Sequence, residues 1–219
     1  MAKEPRMINL KSPLLLLSLL LGLSAFTACA TTPLQPVQGQ VLEEGTNKPI
    51  ANALVVGLWH GTVSHGFVDA RTVCYHVETA TTDESGRFAL PPTEKEYKYR
   101  DGHHYTSTIA YKPGYQYARV QRTKGVDYLQ PFQGTREERL KVIRTAGATC
   151  VGAGESQKNL LPLYRTLYEE ARALAVTKQD KQVVNALLHQ IDLIELPYAE
   201  VLKRDDERYK ALRKEFPNE

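Results

Sequence analysis

Short extended segments separated by turn residues occupy the chain from residue 37 to about residue 123, and this pattern restricts the possible folds more than any other feature. The segment VQGQVLEE (37–44) alternates apolar and polar residues, as a strand with one buried face does. The segment ANALVVGLW (51–59) is apolar on both faces, which is typical of a central strand in a packed sheet. The sequence therefore predicts a series of short β-strands joined by turns here.

The stretch ATTDESGRFALPP (80–92) carries enough polar side chains to look like a catalytic loop, but its spacing is that of a turn. Asp83 suits the first position of a type I turn, where its carboxylate caps the amide of Ser85, and Gly86 suits the last. The turn reverses the chain so that Phe88 enters the core. We therefore interpret this cluster as architectural.

A second turn is predicted at KPGY (112–115), where Pro113 fixes φ and Gly114 supplies the positive φ of a type II turn. Together, the motifs VQGQVLEEGTNKPIANALVV, TTDESGRFAL and AYKPGY resemble the successive motifs of carboxypeptidase regulatory-like domains. The resemblance covers roughly residues 37–123. We place the boundaries of the predicted domain at residues 37 and 125. It implies a prealbumin-like β-sandwich in which the Asp, Gly and Phe of the first turn shape the fold and carry no catalysis.

Two connections are longer than in that family: HGTVSHGFVDARTVCYH (60–76) and TEKEYKYRDGHHY (93–105). Long excursions on a compact sandwich are either solvated hairpins or the place of a binding surface. The sequence favours hairpins and leaves the binding surface as an alternative.

Beyond the sandwich, residues 126–158 mix turn residues with one basic and apolar stretch, which predicts an irregular crossover with a short helix near 137–144. Residues 159–219 have helical periodicity. The fold class predicted for the whole chain is α+β, a prealbumin-like antiparallel sandwich followed by a C-terminal helical region.

Within the helical region, Asn159 is the predicted N-cap of a helix that holds Pro162 in its first turn, and Thr177 with Asp180 predicts a second N-cap. Pro197 is expected to end the second helix. The apolar stripes of the two helices are Leu160, Leu163, Leu167, Ala171 and Leu174, and then Val184, Leu187, Leu188, Ile191 and Ile194. Charged residues expected on solvated faces are Glu169, Glu170, Asp205 and Asp206.

Residues 1–28 have the pattern of an export signal, with Lys3, Arg6 and Lys11 ahead of an apolar run too short to span a bilayer comfortably. The run ends in LSAFTAC, which resembles the lipobox of bacterial lipoproteins, although Phe26 stands where that family usually has Leu. The resemblance implies cleavage before Cys29 and its acylation, with palmitate as the kind of chain attached. Residues 29–36 would then be a tether. A plain signal peptide and an uncleaved anchor are the alternatives.

Charge and cysteine content narrow the function classes. The chain has 28 Lys and Arg residues, three of them in the first 28 positions, and 25 Asp and Glu residues, one of them there. The remainder therefore has 25 basic and 24 acidic residues and a net charge of +1. Such balance does not indicate nucleic-acid binding. After Cys29, the chain has Cys74 and Cys150, an even pair that we expect to form a disulfide in an oxidising compartment.

No sequence signature of an enzyme is recognised: H-E-x-x-H, G-x-S-x-G and the Walker loop are missing. The main chemical alternative is a metal site, because His60, His65, Cys74 and His76 fall in one excursion, and Cys74 and His76 share a face if that segment is regular. The shared face of Cys74 and His76 is expected for an extended segment. Their spacing matches no standard zinc pattern. No cofactor is predicted.

These observations predict a non-enzymatic lipoprotein with a structural or protein-interaction role in the cell envelope, held in a membrane by its lipid anchor. With Ala30 after the cysteine, the resemblance to lipoproteins of diderm bacteria implies sorting to the outer membrane, facing the periplasm. A binding module for an envelope glycan or peptide is the first alternative. A metal-dependent activity at the His and Cys cluster is the second.

Overall fold

The computed structural model describes residues 36–65, 69–91, 104–117 and 125–217. The described part has mixed α and β structure, which confirms the predicted α+β class. Its strands are β1 (Val37–Glu43), β2 (Leu54–His65), β3 (Asp69–Thr81), β4 (Arg87–Leu90), β5 (His104–Tyr111), β6 (Tyr115–Tyr117) and β7 (Val126–Pro131). Its helices are α1 (Arg136–Thr145), a 3₁₀ helix (Gly154–Leu160), α2 (Leu161–Leu174), α3 (Lys178–Glu195) and α4 (Tyr198–Glu215).

The strands form two sheets that enclose a common core. One sheet has the order β4-β1-β7-β6 and the other has the order β3-β2-β5. All described strand pairs are antiparallel except β1 with β7, which is parallel, so the prediction of antiparallel pairing is wrong for this pair. The buried side chains between the sheets come from both of them: Val41, Phe88, Leu90 and Leu129 from the first, and Val55, Trp59, Tyr75 and Ala110 from the second.

A second core lies on the other side of the three-stranded sheet, where the helices pack. Val56 and Leu58 of β2 and Val77 of β3 contact the apolar faces of α1, α2 and α3 there. Strand β2 is thus buried on both faces, with alternate residues entering different cores. This explains why residues 54–59 form a continuous apolar run.

The predicted irregular crossover contains a strand that sequence reasoning missed. Strand β7 pairs with β1 from Gln40 to Glu43, and alternate residues of β7 are buried. One of these is Asp127, which accepts a hydrogen bond from the Thr108 hydroxyl at 3.0 Å. A buried carboxylate at an inward position breaks the apolar alternation by which strands are recognised. The helix expected near 137–144 is present as α1.

The structure agrees with one of the two predicted N-caps and with the predicted break at Pro197. Thr177 and Asp180 form a capping box at the start of α3, and Pro197 separates α3 from α4. The prediction for Asn159 is wrong, because α2 begins after Leu160 and has no side-chain cap. The 3₁₀ helix fills the preceding turn, and the Asn159 side chain instead donates to the Val77 carbonyl at 2.9 Å.

The 3₁₀ helix and the loop before it cover the outer edge of β3. The Val77 amide donates to the Ser156 hydroxyl at 3.2 Å, and the Gly152 amide donates to the Cys74 carbonyl at 3.1 Å. With Asn159 bound to the Val77 carbonyl, three backbone groups of this edge are satisfied. An uncovered edge strand would offer those groups to another chain.

The predicted disulfide between Cys74 and Cys150 is confirmed. It joins β3 to the loop ahead of the 3₁₀ helix, with the two Cα atoms 5.0 Å apart. The covalent link and the edge hydrogen bonds therefore act on the same segment. Together they hold the start of the helical region against the three-stranded sheet.

No described helix is both long and apolar enough to cross a membrane.

Candidate functional site

The polar stretch at residues 83–87 is a hydrogen-bonded turn. One carboxylate oxygen of Asp83 accepts from the Ser85 amide at 2.9 Å, the Ser85 hydroxyl at 2.7 Å and the Arg87 amide at 2.8 Å. The Gly86 amide donates to the Asp83 carbonyl at 2.9 Å, and Phe88 is buried. Hydrogen bonds from Ser85 and Arg87 lower the pKa of Asp83. This carboxylate is occupied in holding the turn and is not placed for acid or base chemistry.

The turn at residues 112–115 contacts the helical layer. Gly114 has φ +79°, and its amide donates to a carboxylate oxygen of Glu170 on α2 at 3.2 Å. Pro113 precedes it, as the turn pattern requires. A loop of the sandwich is thereby tied to a helix that lies more than fifty residues later in the chain.

Glu170 belongs to a buried polar cluster that involves both layers. Arg139 of α1 is 4% exposed and forms a two-pronged ion pair with Glu170, at 2.7 Å from Nε and 2.9 Å from Nη2. Arg139 also donates to the Tyr115 carbonyl, and the Tyr111 hydroxyl donates to Glu170. Because Glu170 was expected on a solvated face, that prediction is wrong. Helical periodicity places a residue on its own helix but does not show what packs against it.

The electrostatics of this cluster fit a structural role. Burial and the hydrogen bond to Glu170 raise the pKa of Tyr111 far above its ordinary value. Burial opposes ionisation of Glu170, but the hydrogen bonds from Arg139 and Tyr111 outweigh it and lower the pKa of that carboxyl. Donors from Arg139, Tyr111 and Gly114 therefore surround an ionised carboxylate. The Glu170 carboxylate oxygens are thus used in contacts between the helices and the sandwich.

The possible metal ligands of the first excursion are not brought together. The register of the β2–β3 pair shifts after Trp59, so Trp59 faces His76 while His60 faces Cys74, and Tyr75 is the additional residue. Cys74 consequently packs toward the helices, whereas the His76 ring contacts Trp59 between the sheets, with centroids 5.2 Å apart.

The expectation that Cys74 and His76 share a face is therefore wrong, because the bulge reverses the alternation between them. Cys74 is in addition consumed by the disulfide. The His65 side chain lies outside the described part. Among the side chains that are described, no group of three His, Cys, Asp or Glu residues is placed to hold a metal ion.

A serine and histidine pair that was not predicted from the sequence joins strands β2 and β5 of the same sheet. His60 Nε2 is 2.9 Å from the Ser107 hydroxyl, and the His60 ring stacks on Tyr105 with centroids 4.7 Å apart. Partial burial lowers the pKa of His60, which favours the neutral form of the ring. Among the described side chains, no carboxylate contacts His60 to orient its ring, as a catalytic triad requires. The pair could have been found only by aligning β2 with β5.

A charged network joins α3 to α4. Asp192 is 3% exposed and is bound by Arg204 at 3.2 Å and by Arg208. Asp205, expected on a solvated face, instead contacts His189 Nδ1 at 2.7 Å and Arg208 at 2.8 Å. The packing of α3 against α4 therefore includes buried ion pairs as well as apolar contacts.

Clefts in the described part lie mainly between helices. One of about 570 Å³ separates α1 from α3, with Leu140 and Val183 inside and Lys141 and Arg144 at its rim. Arg136 at one end is neutralised by Asp180 and Glu137. Most of the other residues that line this cleft are polar, among them Thr177, Gln179 and Gln182.

Comparison with known proteins gives no family. Neither the protein-family models nor the curated proteins contain a match. Among solved structures, the chain is similar to a 9R-lipoxygenase from Cyanothece PCC8801, with 14% sequence identity and a TM-score of 0.28. The alignment covers 79% of this chain and 31% of the lipoxygenase chain, so this protein spans about a third of that structure's length. A similarity this low does not establish a shared fold.

Proposed function

We propose that the protein is an exported lipoprotein anchored in a membrane through Cys29, with a non-enzymatic structural or interaction role in the cell envelope. The observation that carries the proposal is the Cys74–Cys150 disulfide. Structural disulfides persist in oxidising compartments and are rare in a reducing cytosol. The export signal predicted at residues 1–28 would deliver the chain to such a compartment, and the lipobox pattern at Cys29 would keep it at a membrane.

The same proposal includes the finer description of the sandwich as prealbumin-like and related to carboxypeptidase regulatory-like domains. Two facing sheets and the turns at Asp83 and Gly114 support it, because the three motifs that carry the resemblance fall at strands and turns of this arrangement.

A non-enzymatic role is supported by how the buried charges are used. Glu170 is held by donors from both layers, and Asp192 and Asp180 are bound by arginines. Each of these carboxylates stabilises packing between elements. A catalytic carboxylate needs a free approach for substrate or water.

Anchoring is tested by changing Cys29→Ser and following the protein in membrane and soluble fractions of cells. We expect the parent protein in the membrane fraction, with a mature N-terminal peptide whose mass includes acyl chains. The variant should be released or remain an uncleaved precursor. A mature parent protein that begins at another residue and carries no lipid would refute the proposal.

A second candidate function, glycan binding, is favoured by one specific observation. Tyr105 at the end of the second excursion is 52% exposed, and the His60 ring packed against it fixes its orientation. Exposed, oriented aromatic rings can stack on sugar rings. Purified peptidoglycan should retain the parent protein but not the Tyr105→Ala variant. Tyr198→Ala, at another exposed tyrosine, is the control and should be retained. Equal retention of both variants would count against a site at Tyr105.

A further inference from the structure

The three-stranded sheet extends beyond the helices that cover one of its faces. On that face, Leu58 and Val77 are 6% and 0% exposed. Because alternate residues of a strand share a face, the next residues of β2 on this side are His60 and Thr62, which are only partly buried. Tyr105, the partner of His60 in β5, is 52% exposed. Within the described part of the chain, this end of the face is therefore open.

Five side chains form the open end, which we call the platform. The strand register brings them together, since His60 lies opposite Tyr105 and Thr62 lies opposite Thr72. The row from Tyr105 through His60 to Cys74 crosses three strands and is about 10 Å long at the usual strand spacing. The disulfide at Cys74 bounds the row at the β3 side. The platform consists of His60, Thr62, Thr72, Tyr105 and Ser107.

The aromatic part of the platform is held in one orientation. The His60 ring stacks on the Tyr105 ring with centroids 4.7 Å apart and an angle of 14° between the planes. His60 Nε2 is in turn 2.9 Å from the Ser107 hydroxyl. The three side chains therefore fix one another, so that a ligand on Tyr105 would not have to order the ring.

The described side chains of the platform are uncharged at neutral pH. Partial burial lowers the pKa of His60 and so favours its neutral imidazole. Arg71, the neighbour of Thr72 in β3, belongs to the opposite face because successive side chains of a strand alternate. The platform thus offers an aromatic ring, hydroxyl groups and a neutral imidazole.

We propose that the platform binds an uncharged stretch of a glycan chain, which deepens the second candidate function and rests on it. A sugar ring has an apolar C–H face that packs on an aromatic ring, and hydroxyl groups that both donate and accept hydrogen bonds. Tyr105 provides the first contact. The Ser107 hydroxyl and the neutral His60 ring each have a donor and an acceptor, which suits the second.

Two other kinds of ligand fit the platform less well. A peptide with free carboxylate or ammonium groups would find no counter-charge among the described platform side chains, and a desolvated charge without a partner is costly. A second copy of the chain would need about 800 Å² of contact per partner, which is much more than one exposed tyrosine and its neighbours provide. An uncharged sugar requires neither.

The experiment measures binding to the full-length protein in lipid nanodiscs by isothermal titration calorimetry. The probe is the β-1,4-linked tetramer of N-acetylglucosamine, an uncharged glycan chain, and the comparison ligand is a charged peptidoglycan stem peptide without sugar. We expect the tetramer to bind and the stem peptide not to bind. Because no charge is involved, the affinity for the tetramer should be the same at low and high salt. Affinity that falls steeply with salt would overturn the inference.

Variants of the platform test which groups make the contacts. Tyr105→Phe keeps the ring and should bind the tetramer almost as the parent does, whereas Tyr105→Ala should bind about tenfold more weakly. Ser107→Ala should weaken binding about fivefold through loss of a hydrogen bond. Tyr198→Ala is the control at an exposed tyrosine on α4 and should have no effect. Unchanged affinity in Tyr105→Ala would overturn the inference.

The remaining outcomes separate this inference from the proposals on which it rests. Binding of the stem peptide but not the tetramer, with loss in Tyr105→Ala, would overturn the glycan ligand and leave a binding site at Tyr105. An anchored protein that binds neither probe and is not retained by peptidoglycan would overturn both the inference and the second candidate function. Anchoring through Cys29 would stand in either case, because it is measured by the lipid on the mature N-terminus.

Discussion

Gly86 shows how a single position determines whether the first turn can form. Its φ is +73°, and an added Cβ would lie 2.5 Å from the Val41 carbonyl oxygen. Gly114 has a similar φ of +79°, but an added Cβ there would meet no atom within 4 Å. Substitution of Gly114 therefore tests backbone strain alone, whereas substitution of Gly86 tests backbone strain together with a steric clash.

We predict that Gly114→Ala lowers the free energy of unfolding by about 1 kcal/mol, from the positive φ alone. Gly86→Ala should cost at least about 2 kcal/mol, because backbone atoms must also move. Urea unfolding of both variants measures the difference. Equal losses would show that the contact with Val41 relaxes without cost.

The burial of Glu170 was not predicted from the sequence. Its position on α2 is next to that of Glu169, and both were expected in solvent, yet the Glu170 side chain is 14% exposed and that of Glu169 is 66% exposed. The difference comes from Arg139 and from the turn at Gly114, which are distant in sequence. No local pattern around Glu170 contains that information.

We predict that Glu170→Gln lowers the free energy of unfolding by about 3 kcal/mol, because it leaves the buried Arg139 charge without its partner. Glu169→Gln should change it by less than about 0.5 kcal/mol.

The pH dependence provides a second readout for Glu170. Since folding lowers the pKa of Glu170, its contribution is fully present above the ordinary glutamate pKa and is lost as pH falls through the lower folded value. Stability curves measured from pH 7 to pH 3 should therefore be less steep at the acidic end in Glu170→Gln than in Glu169→Gln. Curves of equal slope would contradict the assignment.

At the level of elements, the sequence predicted regular structure well where side chains repeat with the period of one helix or strand. The stripes of α2 and α3, the Thr177 cap and the break at Pro197 all follow from such local chemistry. Strand β7 and the bulge at Tyr75 could not be predicted in this way. The first depends on a buried carboxylate and the second on the register of two strands, and both are set by packing between segments.

The 3₁₀ helix and its preceding loop, which cover the edge of β3, can be tested by removing one of their hydrogen bonds. Ser156→Ala removes the acceptor of the buried Val77 amide, and we expect a loss of about 1–3 kcal/mol. Hydrogen exchange of the Val77 amide should accelerate more than that of amides in the centre of β2. Thr145→Ala, which removes an exposed hydroxyl at the end of α1, is the control and should have little effect. Unchanged protection at Val77 would show that the edge has another cover.

At the scale of the whole molecule, the helical region is fixed to the sheets by three different means. The apolar core between β2 and α2 is continuous, the Arg139–Glu170 pair connects helices to a sandwich turn, and the disulfide closes the edge of β3. Sequence reasoning anticipated the first in outline and the third by elimination, since Cys74 and Cys150 had no other cysteine partner after Cys29. It could not anticipate the second, whose members are spread over three segments.

The disulfide gives the last prediction. Its cysteines are 76 residues apart, and closing a loop of that length should stabilise the protein by about 4 kcal/mol on the chain-entropy model. The double variant Cys74→Ser with Cys150→Ser should therefore have a free energy of unfolding about 4 kcal/mol lower, measured by urea unfolding. It should keep the circular dichroism spectrum of the parent. Because both the apolar core and the Arg139–Glu170 pair remain, we expect one cooperative transition.

Thiol titration of the denatured, unreduced parent protein is the control for this comparison. It should detect no free thiol, since Cys29 is proposed to be acylated and the other two cysteines are paired. Two free thiols would contradict the bond in solution. Two separate transitions in the double variant would mean that the covalent link, and not the shared core, makes the sheets and helices unfold together.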